Sequence, residues 1–299
     1  MNFGTAVVFL EQGIATGVVT GGVYALLAIS IVSIFRATGV ANFAVGEIFM
    51  AGAYIALYLL AIVKVSAWIA IPVTIVAVFV GSAAFQLGVL RTVHKSGGPI
   101  NLVIATLGLS YLLKGIVRQT GFGETPRSFP SLVPAKPIMF GMAHLTLLDV
   151  AILAAAMLIM AGYFLVFGYT RLGRAMRAVG MNQRAAQLVG VNIGRMNTLI
   201  WGLSGALSAA AALLIAPKLL VTADMGTVGI MGFAAAIIGG FSSFPGAIIG
   251  GFVIGIAENL VGLFIASNAI AVTPFVMIIS VLVLRPQGLF GGPQEIKKV

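Results

Sequence analysis

The chain contains no cysteine. A disulfide framework, a thiol nucleophile and a thiolate metal site are therefore excluded. Charge is scarce too: 299 residues carry 17 basic and 7 acidic side chains, or 8% charged, where soluble domains average about a quarter. The 7 carboxylates are scattered, with no HExxH or DxD pattern. The 2 histidines, His94 and His144, fall at opposite faces in the topology below, which disfavours a histidine triad or metal cluster. No Gly-Lys dipeptide occurs anywhere. The chain thus has no Walker A loop and cannot be read as its own ATPase. No catalytic residue, no metal site and no cofactor bound by this chain is expected.

What remains is apolar. Hydrophobic residues make up 60% of the chain and the mean hydropathy is +1.14. That composition describes an integral membrane protein with several spans. Helices are favoured over a barrel because the apolar runs are long and continuous, not short and alternating. The 38 glycines permit close helix packing in lipid. The formal net charge of +10 sits in inter-span loops and at span ends, so membrane topology explains it better than nucleic acid does. The first apolar run is too long for a signal peptide and no cleavage site follows it.

In order, the expected spans are 12–35, 41–63, 65–90, 100–119, 147–169 and 196–216, then a more complex region of 229–240, 247–265 and 269–284. Gly13, Gly17 and Gly21 recur every fourth residue, which predicts one tightly packed face on the first span. Arg91, His94 and Lys95 form a compact basic loop before Gly97-Gly98-Pro99, and 120–146, with Pro126, Pro130, Pro134 and Pro137, reads as an irregular external loop. The positive-inside rule puts Arg36, the 91–95 loop, the 170–195 loop and the tail with Lys297 and Lys298 on the cytoplasmic side. The N-terminus is then outside, and Lys64 is the one exception. Parity favours nine crossings, or seven if 229–265 is a re-entrant hairpin. The expected fold class is all-α, a polytopic transmembrane helical bundle of about 8–9 spans forming a single domain over 1–299.

The stretch 170–195 holds five arginines and no carboxylate between two lipid-length apolar runs. From Arg174 to Val189 it lacks proline and is rich in helix formers, and Gly190 stands where a C-terminal cap would fall. The pattern predicts one short cytoplasmic helix, a surface that another protein could grip.

Few polar residues fall within apolar runs. Asn42 and Glu47 belong to ANFAVGE (41–47), and Glu258 lies inside the run at 247–265. A charge there costs about 2.5–3.5 kcal/mol unless it faces protein or water. Three readings stand for each acid: a pathway or gate contact, a structural hydrogen bond to a neighbouring helix, or a proton relay, which the lack of an accompanying chain of intramembrane acids disfavours. GGFSSFPG (239–246), with Gly239, Gly240, Ser242, Ser243 and Pro245, is a second polar, glycine-bearing break. Broken helices at matching places in two halves can line a substrate path; two unrelated helix starts are the alternative. Lys114 and Arg118 share a helical face near a span end, where snorkelling or contact with an external partner would explain them.

The motifs TRLGRAMRAVGMNQRAAQLVGVN, NFAVGE, AAIIGGFSSFPGAIIGGFVIGIAE and RPQGLFG (285–291) together resemble the permease family of branched-chain amino-acid ABC importers, of the LivH type. The resemblance runs from about Gly13 to Gly291, with motifs in the same order. It implies a subunit that pairs with a second, related permease (a heterodimer), two cytoplasmic ATPases that bind ATP and magnesium, and an external substrate-binding protein, in a bacterial inner membrane. Related permeases serving urea, amides or other neutral amino acids are the alternative within the family. An ATP-independent channel or secondary carrier is the alternative outside it. The resemblance also implies that the arginine loop is the coupling loop: Arg174, Arg177, Arg184, Ala185, Ala186 and Gly190 would meet the ATPase. Arg184-Ala185-Ala186 followed by Gly190 keeps the spacing of the EAA-xxx-G signature, with arginine in place of its acid and Gly202-Leu203 where a Leu-Pro often closes it. The resemblance further implies alternating access, with Asn42–Glu47 and Gly239–Gly246 rearranging.

Overall fold

A computed structural model of the chain describes residues 3–96, 98–121, 123, 125–140 and 143–291. Gly97, Lys297 and Lys298, expected in loop and tail, lie outside the described residues. In chain order the helices are α1 (Phe3–Thr38), α2 (Val45–Leu57), α3 (Ala67–Phe85), α4 (Arg91–Ser96), α5 (Pro99–Gln119), α6 (Leu147–Tyr169), α7 (Arg171–Met181), α8 (Gln183–Leu188), α9 (Ile193–Ile215), α10 (Val228–Gly239), α11 (Phe244–Phe264) and α12 (Thr273–Leu284). π-helical turns at Tyr58–Ile62 and Gln86–Leu90 extend α2 and α3. Four short strands, β1 (Arg127–Ser128), β2 (Pro137–Phe140), β3 (Ala143–Thr146) and β4 (Leu220–Val221), form two antiparallel pairs, β1 with β4 and β2 with β3. Eight helical segments among the described residues are long and apolar enough to cross a membrane. The expected all-α polytopic bundle is the observed fold.

Three local expectations are corrected. The 91–95 stretch is the helix α4, because no proline interrupts the chain between Gln86 and Ser96. The loop 120–146 is less irregular than its prolines suggest. Ile138 pairs with Leu145 and Met139 with His144, since these residues suit a pleated surface and Pro137 stands first in its strand, where its missing N–H matters least. The run expected at 247–265 starts earlier, at Phe244, because Ser243 caps it and Pro245 sits in its first turn. The segment at 229–240, apolar but too short in the sequence for a full span, is the helix α10, whose 12 residues rise only about 18 Å against the roughly 30 Å hydrocarbon layer.

Within the span expected as one domain, the residues group into two compact units. The first unit comprises Met1–Val32, Val133–Ala154 and Ile230–Val299. Its centre is a glycine seam between α1 and α11. A Cβ placed at Gly17 would stand 2.6 Å from Ile256 Cα, one at Gly21 2.8 Å from Phe252 Cα, and one at Gly251 2.6 Å from Ala25 Cα. This is the packed face that the glycine spacing of α1 predicts. Asn259 Nδ2 donates across the seam to Thr20 Oγ1 at 3.0 Å.

The second unit comprises Ser33–Leu132 and Ala155–Gly229. Here α2 packs on α3, α5 and α9, and α3 on α9. Gly52 lets α2 approach Ala209 of α9, a Cβ there standing 2.9 Å from the Ala209 Cα. A continuous apolar cluster then joins Met176, Val179 and Ala186 of the arginine loop to Ile34, Leu90, Leu102, Ile200 and Trp201. The loop is seated on the helices by its own buried face.

Candidate functional site

The arginine loop folds as two helices, not the single one expected from Arg174 to Val189. Thr170 Oγ1 accepts from Gly173 N at 3.0 Å and starts α7. At Asn182 the backbone turns extended (φ −155°), and the Asn182 Oδ1 accepts from Ala185 N at 3.1 Å to start α8. Asparagine competes for backbone donors in this way and favours a cap over a helix interior. Gly190 takes φ +86°, the left-handed conformation of a C-terminal cap. Asn192 then caps α9 through Arg195 N at 3.0 Å.

The two helices sort their side chains sharply. On α7, Gly173, Met176 and Val179 are buried, while Arg171 and Arg174 are exposed. Arg177 turns inward. Its Nη1 donates to the carbonyls of Phe167 and Gly168, and its guanidinium lies 5.5 Å from the Phe167 ring centroid. It thereby caps the C-terminal end of α6, where carbonyls have no helical partner. Gln183 Nε2 donates to Ala37 O, and Gly180 packs on Arg36 O, which ties α8 and the end of α7 to the end of α1. Of the two alanines, Ala185 is exposed and Ala186 is 2% exposed. The solvent face of the loop therefore carries Arg174, Arg184 and Ala185, together with three apolar side chains: Met181, Leu188 and Val189, exposed by 83, 90 and 78%. Sequence reasoning missed these three. For Leu188 and Val189 the signal was available, since they are apolar residues directly before the predicted cap at Gly190.

The break at 41–47 belongs to the second unit. Asn42 is fully buried; its Oδ1 accepts from Ala44 N at 2.9 Å and its Nδ2 has no partner. Glu47 occupies the first turn of α2, where a carboxylate complements the helix dipole. Gly46 is pressed against the start of α10: a Cβ at Gly229 would stand 2.6 Å from Gly46 Cα.

The break at 239–246 belongs to the first unit. Gly240 has φ +94°, and Ser243 Oγ accepts from Gly246 N at 3.1 Å. Gly239 is buried, while Ser242 and Pro245 are exposed. The carboxyl end of α10 is closed by the late RPQGLFG segment: Leu289 N donates to Ile238 O at 2.8 Å and Phe290 N to Gly239 O at 3.2 Å. That motif is a backbone clasp on the break. Glu258, also in the first unit, accepts a hydrogen bond from the Tyr24 hydroxyl, while its Oε2 is buried without a partner.

Lys114 and Arg118 both reach Asp224, at 2.6 and 3.2 Å. The hydrogen bond and charge of Lys114, with Arg118 beside it, hold the Asp224 carboxyl below the usual carboxylate range. A lowered pKa stabilises the folded form above the unfolded carboxylate value, and that contribution is lost as pH falls through the folded value. Each exposed pair contributes about 0.2–1 kcal/mol. Asp224→Asn, or acid below the ordinary carboxylate range, should therefore speed amide exchange in 220–227 by a few-fold at most. Unchanged exchange in both conditions would show the clasp to be idle.

The fold is that of a polytopic, predominantly helical membrane protein with a basic loop seated on its helices. The chain belongs to the family described as branched-chain amino acid transport system / permease component, whose model matches residues 13–284. It is 30% identical over 305 residues to the high-affinity branched-chain amino acid transport system permease protein BraD of Pseudomonas aeruginosa, covering 97% of this chain and 98% of that protein. It is 29% identical over 304 residues to the corresponding protein LivH of Salmonella typhimurium, with coverage of 97% and 98%. Among solved structures, a chain of PsaBC from Streptococcus pneumoniae in complex with Fab shares the fold at a TM-score of 0.52, with 14% identity, 93% of this chain and 92% of that chain.

Proposed function

We propose that this chain is the membrane-spanning permease subunit of an ATP-driven importer for branched-chain amino acids. The observation that carries the ATP-driven part is the α7–α8 surface. It exposes arginines and bulky apolar side chains to water, yet is bolted to the ends of α1 and α6. Exposed apolar patches of this kind mark protein contacts, and this chain has no nucleotide-binding loop of its own. Likeness to BraD and LivH along the whole chain supports the substrate class.

In this reading the chain performs no catalysis and binds no cofactor. Two partner ATPases bind ATP and magnesium and dock on α8. A second, related permease completes the path, and an external binding protein delivers substrate. The protein lies in a bacterial inner membrane, with the N-terminus outside and the arginine loop and C-terminus in the cytoplasm. Closure of the ATPases pulls α8; Gln183 and Arg177 pass that pull to the ends of α1 and α6. Asn42, Glu47, Glu258 and the 239–246 break are the candidate gate residues.

The test is uptake of labelled leucine by cells lacking their own importer, after expression of this chain with its neighbouring subunits. ATP-dependent uptake, with ATPase subunits retained on affinity purification of this chain, is the expected result. A protein that purifies alone and moves leucine in liposomes without ATP would instead be a carrier.

A further inference from the structure

The second unit contains a cavity of about 340 Å³, within the size range of small-molecule sites. It lies directly behind α8. Its walls come from the end of α1, the π-helical turn at Gln86–Leu90, Arg91 of α4, and residues of α5, α8 and α9. Its lining includes the apolar Leu90, Leu102 and Trp201 and the polar Arg91, Gln187 and Asn197, of which Arg91 and Gln187 also reach solvent. Arg91 makes no ion pair among the described residues. The Asn197 Oδ1 is out of contact with solvent and has no hydrogen-bond donor. Gln86, which also lines the cavity, is already engaged by the Thr198 hydroxyl at 2.6 Å. π-helical turns recur at functional sites because they displace side chains from the regular helical ladder.

We infer that this cavity binds a free α-amino acid with an apolar side chain. Three chemistries meet in one small space. A cation awaits a carboxylate, carboxamide oxygens can accept from an ammonium, and an aliphatic and indole wall suits a hydrocarbon side chain. A simple carboxylate would leave the carboxamides unused; a simple amine would face an uncompensated guanidinium.

The site has a mechanical consequence. Gln183 and Gln187, both on α8, line it. An occupant joins α8 to α5 and α9 and so holds the helix that the ATPase must move. Resting on the importer reading, amino acid on the arginine-loop side would slow further import. Ligand and coupling motion would then compete for α8, a population shift toward the held position.

The experiment uses the full chain in lipid nanodiscs with labelled leucine. Saturable binding is expected, and leucine should slow amide exchange in 183–188. 4-Methylpentanoate, which lacks the amine, and 3-methylbutylamine, which lacks the carboxylate, should each compete at least about tenfold less well, the loss that follows removal of one charge-assisted hydrogen bond. Arg91→Gln and Asn197→Leu should weaken binding by a similar factor. Absence of binding, or binding without protection of 183–188, overturns the assignment. So does equal competition by 4-methylpentanoate. The ligand series and the exchange measurement use the unaltered chain, so a variant that misfolds does not rescue the idea. ATP-driven leucine uptake without binding here overturns the cavity alone; binding here without any uptake overturns the importer reading alone.

Discussion

Leu188→Asp should abolish ATP-driven uptake while leaving the chain inserted and folded. Leu188 is 90% exposed, so the isolated permease has nothing to lose from the change. Covered by an ATPase groove, the same side chain is worth about 1.5–3 kcal/mol of burial. A buried carboxylate without a partner would add several more against docking. The combined effect on ATPase retention is a factor of a hundred or more, on the order of 3 kcal/mol. Neighbouring residues turn this into a pattern that a general loss of stability would not produce. Ala185→Glu alters the exposed face and should release the ATPase from a normally folded permease. Ala186→Glu puts a carboxylate into the cluster with Met176, Leu102 and Trp201, and should lower the yield of folded protein instead. Arg177→Ala leaves the docking face intact but cuts the tie to Phe167 and Gly168. Its expected phenotype is retained ATPase subunits and ATP hydrolysis no longer matched by uptake. Yield, co-purification and the ratio of uptake to hydrolysis separate the three. If Ala185→Glu and Ala186→Glu behave alike, the division into a docking face and a seated face is wrong.

That division could not be read from the chain alone, and the reason is physical. The apolar runs, the glycine spacing of α1 and the cap at Gly190 are local features. Each is set by residues a few positions apart, and each appears in the structure, with the ends of some runs shifted by a few residues. Which way an arginine turns is not local. Arg177 points inward because the end of α6 offers carbonyls and an aromatic face ten residues earlier, and Gln183 finds Ala37 across 146 residues. The break at Asn182 lies between these cases. A sum of helix propensities over 174–189 favours one helix, but a single asparagine able to cap Ala185 N divides it. The RPQGLFG segment shows the same limit: its residues and place in the chain were legible, while its backbone bonds to Ile238 and Gly239 depend on how α11 and α12 return. The clasp by Asp224 is likewise formed across 106 residues to Arg118. A carboxylate in a short loop carries no sign of which cation it will meet.

Gly255→Val should cost the first unit its stability, and here the glycine spacing already points to the effect. A Cβ at Gly255 would stand 2.5 Å from both the Cα and the N of Gly21. Both obstacles are backbone atoms of a facing helix, so no rotamer change can relieve them. Overpacking a well-fitted interior costs about 1–3 kcal/mol when side chains can yield; with backbone on the far side, α1 and α11 must separate along the seam. Separation also breaks the bond from Asn259 to Thr20, worth roughly 0.6 kcal/mol for a polar pair between membrane helices. In lipid no hydrophobic force drives the helices back together, because acyl chains are as apolar as the seam. A glycine replaced where there is room for a side chain supplies the control. Gly162 on α6 has open space where its Cβ would go, and Gly162→Ala should raise helix stability by up to about 1 kcal/mol. Thermal unfolding in detergent, followed by loss of monodisperse protein, should therefore fall for Gly255→Val and hold or rise for Gly162→Ala. Equal midpoints for the two would mean that α1 and α11 are not held by close backbone approach, and that the glycine spacing of α1 serves some purpose other than packing.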